Sequence, residues 1–267
     1  MTTIHSKRAT CWRSFGLGLA VALCVPVAAG AADSGVIKGT VKFEGAAPKM
    51  KKIKMDAESS CKAYHEKLGD TPCDDSVVVN KNNTLCWTVV YVKSSPAVDG
   101  KTFPVPAEAI TLDQRGCQYH QHVWSMMVGQ KLSILNSDEN VLHNIHAFSE
   151  KSNGFNKGMP GAPGLKIDET FKESETPVKI KCDVHGWMTS WAFVLPHPFH
   201  STTNDQGAFE IKGLPAGDYT IEAWHEKLGT QTQTVKVGDG ETKELTFTYK
   251  GEADAGASPE ASPSPAK

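Results

Sequence analysis

The chain has 267 residues and a nearly balanced charge, with 28 lysines and arginines against 30 aspartates and glutamates and a formal net charge of −2. This mild acidity argues against nucleic acid as a partner, because proteins that bind nucleic acid concentrate basic side chains on one surface. The length allows two small domains or one elaborate sandwich.

Residues 1–31 have the features of an export signal. A basic segment with Lys7, Arg8 and Arg13 precedes an apolar run over residues 15–27, and Ala29-Gly30-Ala31 is an A-x-A cleavage site. The apolar run is too short to predict a membrane span, so we expect a periplasmic or secreted protein with no transmembrane span after signal cleavage. An uncleaved N-terminal anchor is the alternative. At the other end, residues 251–267 are rich in Ala, Ser, Pro and Glu and predict a disordered tail.

Five cysteines follow the predicted signal, and an odd number in an oxidising compartment indicates paired bridges plus one thiol kept for another purpose. If Cys182 is a metal ligand, the other four can form two disulfides in any of three connectivities. These disulfide candidates are Cys61, Cys73, Cys86 and Cys117.

The sequence between the two ends predicts an all-β protein. Runs rich in β-branched and aromatic residues alternate with turn signals, while residues 57–68 have helical spacing and predict a short helix. Residues 152–164, rich in Gly, Pro and Asn, predict a loop. Strands are predicted at 36–43, 77–79, 87–92, 109–112, 122–128, 131–135, 143–148, 178–182, 191–195, 219–224, 232–237 and 242–249.

The segment of residues 182–188 brings three kinds of metal donor onto one short loop. Cys182 offers a thiolate, His185 an imidazole and Met188 a thioether, and His143 can add a second imidazole from about forty residues upstream. Two histidines, a cysteine and a weak methionine are the ligands of a blue-copper electron-transfer centre. Because this set fills every position, we expect no substrate to bind the metal and the protein not to be an enzyme.

These two segments, Leu142-His143-Asn144-Ile145-His146 and residues 182–188, resemble the paired ligand segments of the cupredoxins, and the short loop is most similar to the amicyanin type. The resemblance implies one type 1 copper ion held by His143, Cys182, His185 and Met188, and single-electron exchange with a redox partner protein. It also implies that Asn144 ties the two ligand loops together, that His146 is a neighbour of the site rather than a ligand, and that Trp187 is a bulky ring beside it.

Other interpretations of these residues remain open at the level of sequence. Cys117-x2-His120 and Cys182-x2-His185 can form a Cys₂His₂ zinc site, although His143 and Met188 would then have no role. Copper binding can also serve capture and delivery, or the metal can be structural in a cell-surface binding module. A second metal site is a further possibility, with candidates at His120, His122, His197, His200 and His225.

The C-terminal part carries a second resemblance. Residues 203–211 and 214–220, with the sequences TNDQGAFEI and LPAGDYT, are similar to carboxypeptidase regulatory-like domains, which are Ig-like, transthyretin-type sandwiches. Their opening strand has a G-x-V pattern, which Gly39-Thr40-Val41 matches near the other end of the chain. We therefore predict that residues 35–103 and 199–250 complete one smaller Ig-like β-sandwich, with a cupredoxin Greek-key β-sandwich of residues 104–198 inserted into it.

Overall fold

The computed structural model describes residues 34–251, whose regular elements are almost all strands, and it confirms the predicted all-β class. Both the signal and all but the first residue of the predicted tail lie outside the described residues. Across residues 34–251, no helix combines the length and the apolar composition that crossing a bilayer requires. The strands are β1 (Gly35–Glu44), β2 (Val89–Ser94), β3 (Ile110–Arg115), β4 (Gln118–Tyr119), β5 (Val123–Met127), β6 (Leu132–Asn136), β7 (His143–Phe148), β8 (Phe155–Met159), β9 (Lys166–Glu169), β10 (Glu175–Lys181), β11 (Thr189–Leu195), β12 (His200–Thr202), β13 (Ala208–Leu214), β14 (Gly217–His225), β15 (Gly229–Val237) and β16 (Thr242–Lys250), and the helix is α1 (Ser59–Leu68).

Two of the four sheets combine strands from both ends of the described chain. One has the order β13-β1-β16 and the other β12-β2-β14-β15. The N-terminal strand β1 lies between the two C-terminal strands, antiparallel to β13 and parallel to β16. Apolar side chains on alternate positions of β1 meet those of the C-terminal strands in one core, which includes Ile37, Val41, Phe209, Ile221 and Phe247.

The glycine of the G-x-V pattern has a physical reason in this sheet. Gly39 lies opposite Leu245 in the parallel β1–β16 pair. A Cβ atom at position 39 would lie 1.7 Å from the carbonyl oxygen of Leu245, so only glycine allows the two strands to approach this closely.

The other two sheets come entirely from the middle of the chain, in the orders β5-β11-β10-β7-β8 and β4-β3-β6-β9. They enclose a second core with Leu112, Ile134, Ile145 and Val194. Met55 and Cys61, which precede residue 104 in the chain, also pack into this core. The segment that carries α1 therefore covers the central sandwich, although the strands on either side of it belong to the first one.

Strands β4, β9 and β12 lie outside the predicted strand ranges, and three further segments also differ from the prediction. Helix α1 begins at Ser59, two residues later than predicted, and ends at Leu68, where Gly69 with a left-handed φ of 68° caps it. Residues 77–79 form only one isolated bridge, between Val79 and Leu85. The predicted loop 152–164 contains β8, whose polar residues have low strand propensity and which forms because it pairs with β7 in register.

The two sandwiches meet through a small apolar cluster and a buried ionic contact. Tyr91 and Trp224 of the first sandwich pack on Phe193 of the second, with ring centroids 5.7 and 4.8 Å apart. His122, at the start of β5, donates its Nε2–H to Glu226. Asp75 Oδ1 lies 2.9 Å from its Nδ1, close enough for an ion pair but off the N–H direction. Burial lowers the pKa of His122, but hydrogen bonding and charge attraction from Asp75 and Glu226 outweigh it and raise the pKa to about 9.

This ionic contact makes the stability of the protein depend on pH. A histidine whose folded-state pKa exceeds its unfolded value of about 6.5 stabilises the fold below that pH and loses its contribution as pH rises through the folded value. The free energy of unfolding should therefore fall between pH 6.5 and 9, by an amount on the order of 3 kcal/mol. Urea unfolding across this range should show the decrease in the wild type and a flatter profile in Glu226→Gln. His120→Gln, which changes an exposed histidine, is the matched control, and equal slopes for all three proteins would contradict the assignment.

Strands from both ends of the described chain pair in the first sandwich. That residues 35–103 and 199–250 form a domain able to fold without the inserted residues 104–198 stays a prediction. Phe103 and Phe199, on either side of the central segment, have ring centroids only 4.9 Å apart, so a short linker can join them. A chain without residues 104–198, carrying Cys61→Ser, should retain a β-type circular dichroism spectrum and unfold cooperatively. Because the deletion exposes Trp224, a second version with Trp224→Thr limits association. If both versions are unfolded, the nested layout is wrong.

Candidate metal centre

The loop of residues 182–188 connects β10 to β11 and is closed by its own backbone. The N–H of Cys182 donates to the carbonyl of Met188 at 3.2 Å, and the N–H of Met188 donates to the carbonyl of His185 at 2.9 Å. These bonds hold Cys182, His185 and Met188 in one tight turn. His143 begins β7, which pairs directly with β10, so that the sheet brings the second imidazole to the same end of the sandwich.

Three donor atoms converge in this turn. The two Nδ1 atoms of His143 and His185 are 2.9 Å apart, and Cys182 Sγ lies 4.0 Å from the first and 3.8 Å from the second. Donors at about 2.0–2.3 Å from one ion are at most about 4.4 Å apart, so all three separations fit a common metal ion. Cys182 and His143 are completely buried, and His185 and Met188 are 2% exposed. The four residues named from the sequence are therefore all buried at this end of the sandwich, and three of their donor atoms lie within 4.0 Å of one another.

The pKa values of all three donors are shifted from their ordinary values. Burial raises the pKa of the Cys182 thiol, but hydrogen bonds from His143 and from the backbone N–H groups of Asn144 and His185 outweigh it and lower the pKa. Burial and the neighbouring His143 lower the pKa of His185. Burial lowers the pKa of His143, but hydrogen bonding and charge attraction from Asp138 and Cys182 outweigh it and raise that pKa. Metals bind the thiolate and the neutral imidazole, so the shifts of Cys182 and His185 favour metal binding and that of His143 opposes it.

Asp138, which no sequence motif predicted as part of the site, holds the outer edge of His143. Its Oδ2 atom accepts the Nε2–H of His143 at 2.9 Å and the backbone N–H of Cys117 at 2.8 Å, while Oδ1 accepts the N–H of Gly116 at 2.6 Å. Burial raises the pKa of Asp138, but these hydrogen bonds outweigh it and hold the pKa below its usual range. A carboxylate on the far nitrogen of a ligand histidine fixes which nitrogen faces the metal and strengthens that donor. The Asn-Ser-Asp turn after β6 is the only local signal of this residue, and it reads as an ordinary turn.

A disulfide covers the other imidazole. Cys61 of α1 is bonded to Cys117, and Cys61 Sγ lies 3.8 Å from His185 Nε2, with Glu58 Oε2 at 3.9 Å from the same atom. Of the two disulfides allowed by the sequence, this one is present; Cys73 and Cys86 are free, so the second predicted bridge is wrong. The backbone brings Cys61 and Cys117 together through the packing of α1, whereas Cys86 lies in the core of the other sandwich region with its Sγ near the carbonyl of Thr203.

The Cys₂His₂ zinc alternative is not assembled. Cys117 has its sulfur in the disulfide and cannot serve as a thiolate, and His120 is exposed, with its ring between the side chain and the carbonyl of Arg115. Two further groups of converging donors are present among residues 34–251, but each contains Cys61 or Cys117. The three donors of His143, Cys182 and His185 form the group in which every atom is free to bind.

The residues expected beside the site lie around this group. The Asn144 side chain accepts the N–H of Asp183 at 2.6 Å and donates to the Asp183 carboxylate at 2.9 Å. These two bonds join β7 to the loop of residues 182–188, called the ligand loop below. His146 faces Asp183 and stacks on Phe148, outside the donor group. The Trp187 ring lies 5.2 Å from the His185 ring, and its Nε1–H donates to the carbonyl of Cys117 at 2.9 Å.

The other histidines do not gather into a second metal group among the residues that the structure describes. Burial lowers the pKa values of His200 and His225 to about 4, so both are neutral, but they stand in separate surroundings. The contacts are His122 with Glu226, His197 Nε2 with the carbonyl of Val92 at 2.9 Å, His200 Nδ1 with Ser125 Oγ at 2.8 Å, and His225 Nδ1 with the N–H of Lys227 at 3.2 Å.

Comparison with protein families confirms one of the two resemblances directly. Residues 196–250 match the carboxypeptidase regulatory-like domain. These residues contain β12 to β16, and the match does not extend to the central sandwich or to β1. Comparison with curated proteins finds no significant match.

Cupredoxins are among the solved structures that the chain resembles, as the sequence predicted. Amicyanin from Paracoccus versutus is 22% identical over 39% of this chain and 96% of its own, with a TM-score of 0.28. A purple cupredoxin from Nitrosopumilus maritimus is 21% identical over 32% of this chain and 98% of its own, with a TM-score of 0.27. The copper-containing nitrite reductase of Thermus scotoductus is 18% identical over 39% of this chain but only 27% of its own, with a TM-score of 0.30. At these values the chemistry of this chain has to be inferred from its own side chains.

The role of Asp138 can be tested with one substitution. Asp138→Asn removes the negative charge from the outer nitrogen of His143, and loss of such a partner weakens metal binding about 10- to 100-fold. Competition between the protein and a chromophoric chelator for Cu²⁺ or Zn²⁺ should show this decrease. Asp239→Asn, in an exposed turn, should leave the affinity unchanged, and wild-type affinity in Asp138→Asn would refute the assigned role.

Proposed function

We propose that the protein is an exported mononuclear copper protein of the type 1 class that carries single electrons between redox partners. The observation that carries this proposal is the buried convergence of the His143 Nδ1, His185 Nδ1 and Cys182 Sγ atoms, with Met188 in the same closed turn. When bound, the ion supplies a one-electron couple. The residues of the chain hold it, orient it and exclude water from it.

The chemistry of the donors favours copper over zinc. Structural zinc sites are closed by four cysteine or histidine donors, and this group has three such donors. A thioether is a soft ligand that suits copper, and two imidazoles, one thiolate and a weak axial methionine form the set that is typical of blue-copper sites. An exported protein is the expectation from the signal features of residues 1–31, and the disulfide beside the site supports it, because disulfides persist in oxidising compartments.

The surroundings of the ligands suit a carrier of electrons. Asp138 holds His143, backbone N–H groups hold the Cys182 sulfur, and Asn144 joins the two ligand segments. Ligands restrained in this way move little when the oxidation state of the metal changes. None of the four proposed ligand side chains is more than 2% exposed, which leaves little room for a substrate and supports a role without catalytic turnover.

The same burial weighs against copper delivery. A delivery protein has to release Cu(I) to an acceptor, whereas here helix α1 and its disulfide cover one ligand and a buried carboxylate holds another. We expect a redox cycle with the metal retained. Rapid transfer of Cu(I) to a chelator, faster than the protein can be reoxidised, would favour delivery instead.

The copper proposal has a direct spectroscopic test. The protein loaded with Cu²⁺ should be intensely coloured and show the narrow hyperfine splitting of a copper–thiolate centre. Cys182→Ser should abolish both signals, because no other free thiol among the described residues reaches the two imidazoles. A colourless wild type that binds zinc in preference would overturn the proposal.

Two other free cysteines provide matched controls. Cys73 is partly exposed and Cys86 is buried, and neither belongs to the donor group. The variants Cys73→Ser and Cys86→Ser should keep the colour and the hyperfine splitting. Loss of the signals in these variants as well would show that the effect of Cys182→Ser is not specific, and it would contradict the assignment of Cys182 as the copper thiolate.

A further inference from the structure

A cleft of about 470 Å³ borders the ligand loop where the two sandwiches meet. Its walls include the stretch before α1 that carries Lys51, Lys52 and Lys54, the loop of residues 182–188 at Trp187 and Met188, and the β14–β15 turn. Both sandwiches thus contribute to one concave surface. Its position next to a proposed metal ligand distinguishes it from the shallow depression beside β14 and β15 at the far side of the first sandwich.

The cleft is strongly cationic, although the whole chain is slightly acidic. Five exposed lysines line it, against three carboxylates. Two of these carboxylates, Asp75 and Glu226, are already paired with the protonated His122. The lysine charges are therefore largely uncompensated within the cleft. The five are Lys51, Lys52, Lys54, Lys179 and Lys227.

The lysine-bearing wall is an ordered part of the fold. Lys52 pairs with Cys73 in an antiparallel bridge, the N–H of Ile53 donates to the carbonyl of Pro72 at 2.9 Å, and the N–H of Asp74 donates to the carbonyl of Lys51 at 2.8 Å. These bonds hold the backbone of the segment in place. The arrangement of charge is therefore built into the structure rather than left to a free tail.

Aromatic side chains connect the cleft to the metal ligands. The Nζ atom of Lys179 lies 5.4 Å from the centroid of the Trp191 ring. The Nε1–H of Trp191 donates to Glu226 at 2.9 Å. Trp187, in the same wall, has its ring 5.2 Å from the ring of His185. A partner in the cleft would be separated from a ligand imidazole by a single indole ring, or would approach Met188 directly.

The outer edges of both imidazoles are covered elsewhere. Asp138 occupies the Nε2 side of His143, and Cys61 with Glu58 occupies the Nε2 side of His185. The exposed apolar side chains of Leu142 and Val184, next to ligands in the sequence, form the competing surface. Because these two side chains carry no charge, an anionic probe distinguishes the surfaces: the lysines of the cleft attract it and the apolar surface does not.

We propose that this cationic cleft is the docking surface for an acidic electron-transfer protein, and that the regulatory-like sandwich serves to complete it. The electron-transfer part rests on the function proposed above, whereas recognition of negative charge does not. Charges of one sign in a cleft raise the association rate of an oppositely charged partner about 10- to 10³-fold, and salt removes the effect.

The first experiment measures recognition without copper. Zinc-loaded protein is titrated with the paramagnetic trianion hexacyanochromate(III), and then with an acidic [2Fe–2S] ferredoxin, while the indole N–H signals of Trp187 and Trp191 are followed by NMR. Both probes should broaden or shift these two signals and leave the other indole N–H signals unchanged. The triple variant Lys52→Glu, Lys54→Glu and Lys227→Glu should abolish the effect.

A matched variant has the same change in net charge outside the cleft. It carries Lys42→Glu, Lys81→Glu and Lys250→Glu, three exposed lysines that do not line the cleft, and it should bind both probes as the wild type does. Equal loss in both triple variants would show a response to net charge alone and overturn the proposal. Binding of the trianion without the ferredoxin would identify a site for small anions, which also overturns docking.

The second experiment measures electron transfer at low ionic strength. Copper(II)-loaded protein is reduced by hexacyanoferrate(II) or by hexaammineruthenium(II), each of which gives one electron to the protein. The cleft variant should slow the anionic reductant at least 10-fold and not the cationic one, while Leu142→Thr with Val184→Thr should alter neither rate more than about 2-fold. The reverse pattern would place docking at the apolar surface. Absence of the copper colour would refute the proposed function and leave the zinc experiment valid.

Discussion

The buried carboxylate of Asp138 is the interaction on which the arrangement of the site depends. Its two oxygens accept N–H groups from Gly116, Cys117 and His143. An ionised carboxylate is costly to bury unless its oxygens are satisfied, and here two donors come from the turn at Gly116 and Cys117 and the third from His143. One links it to the first imidazole, and the turn at Cys117 links it through the disulfide to α1 and the second imidazole. Both ligand histidines are thereby held from their outer sides by one connected unit.

The two sandwiches are held together by side-chain contacts as well as by the chain segments that connect them. The segment between β1 and β2 leaves the first sandwich, packs Met55 and Cys61 into the core of the second, and returns. The protonated His122 joins them through Glu226, and Tyr91 and Trp224 pack on Phe193. The cleft beside the ligand loop exists because of these contacts, since neither sandwich alone supplies all its walls.

Much of this structure can be predicted from local sequence patterns, and the features that those patterns did not predict have a common cause. The strands at 143–148 and 178–182 follow from β-branched and alternating residues, and the donors on them follow from residue type and spacing. Strand β8 was missed because its Asn, Lys and Gly residues favour a loop until pairing with β7 compensates for them. Asp138 was missed because an aspartate in a turn is common, and its carboxylate gains a role only through partners 5, 21 and 22 residues away. The odd cysteine count predicted two bridges and one free thiol, but it could not show that only Cys61 and Cys117 come together and that Cys73 and Cys86 stay free beside Cys182.

The sequence by itself determined the all-β class, the two family resemblances and the four candidate ligand side chains, because these depend on residue type and short-range order. The tertiary structure alone decided which atoms meet: that the Nδ1 atoms of His143 and His185 face each other beside Cys182, that Cys61 bonds to Cys117, and that lysines from both sandwiches line one cleft. These contacts join residues far apart in the chain. Their existence depends on how the sheets pack, which no local pattern of residues encodes.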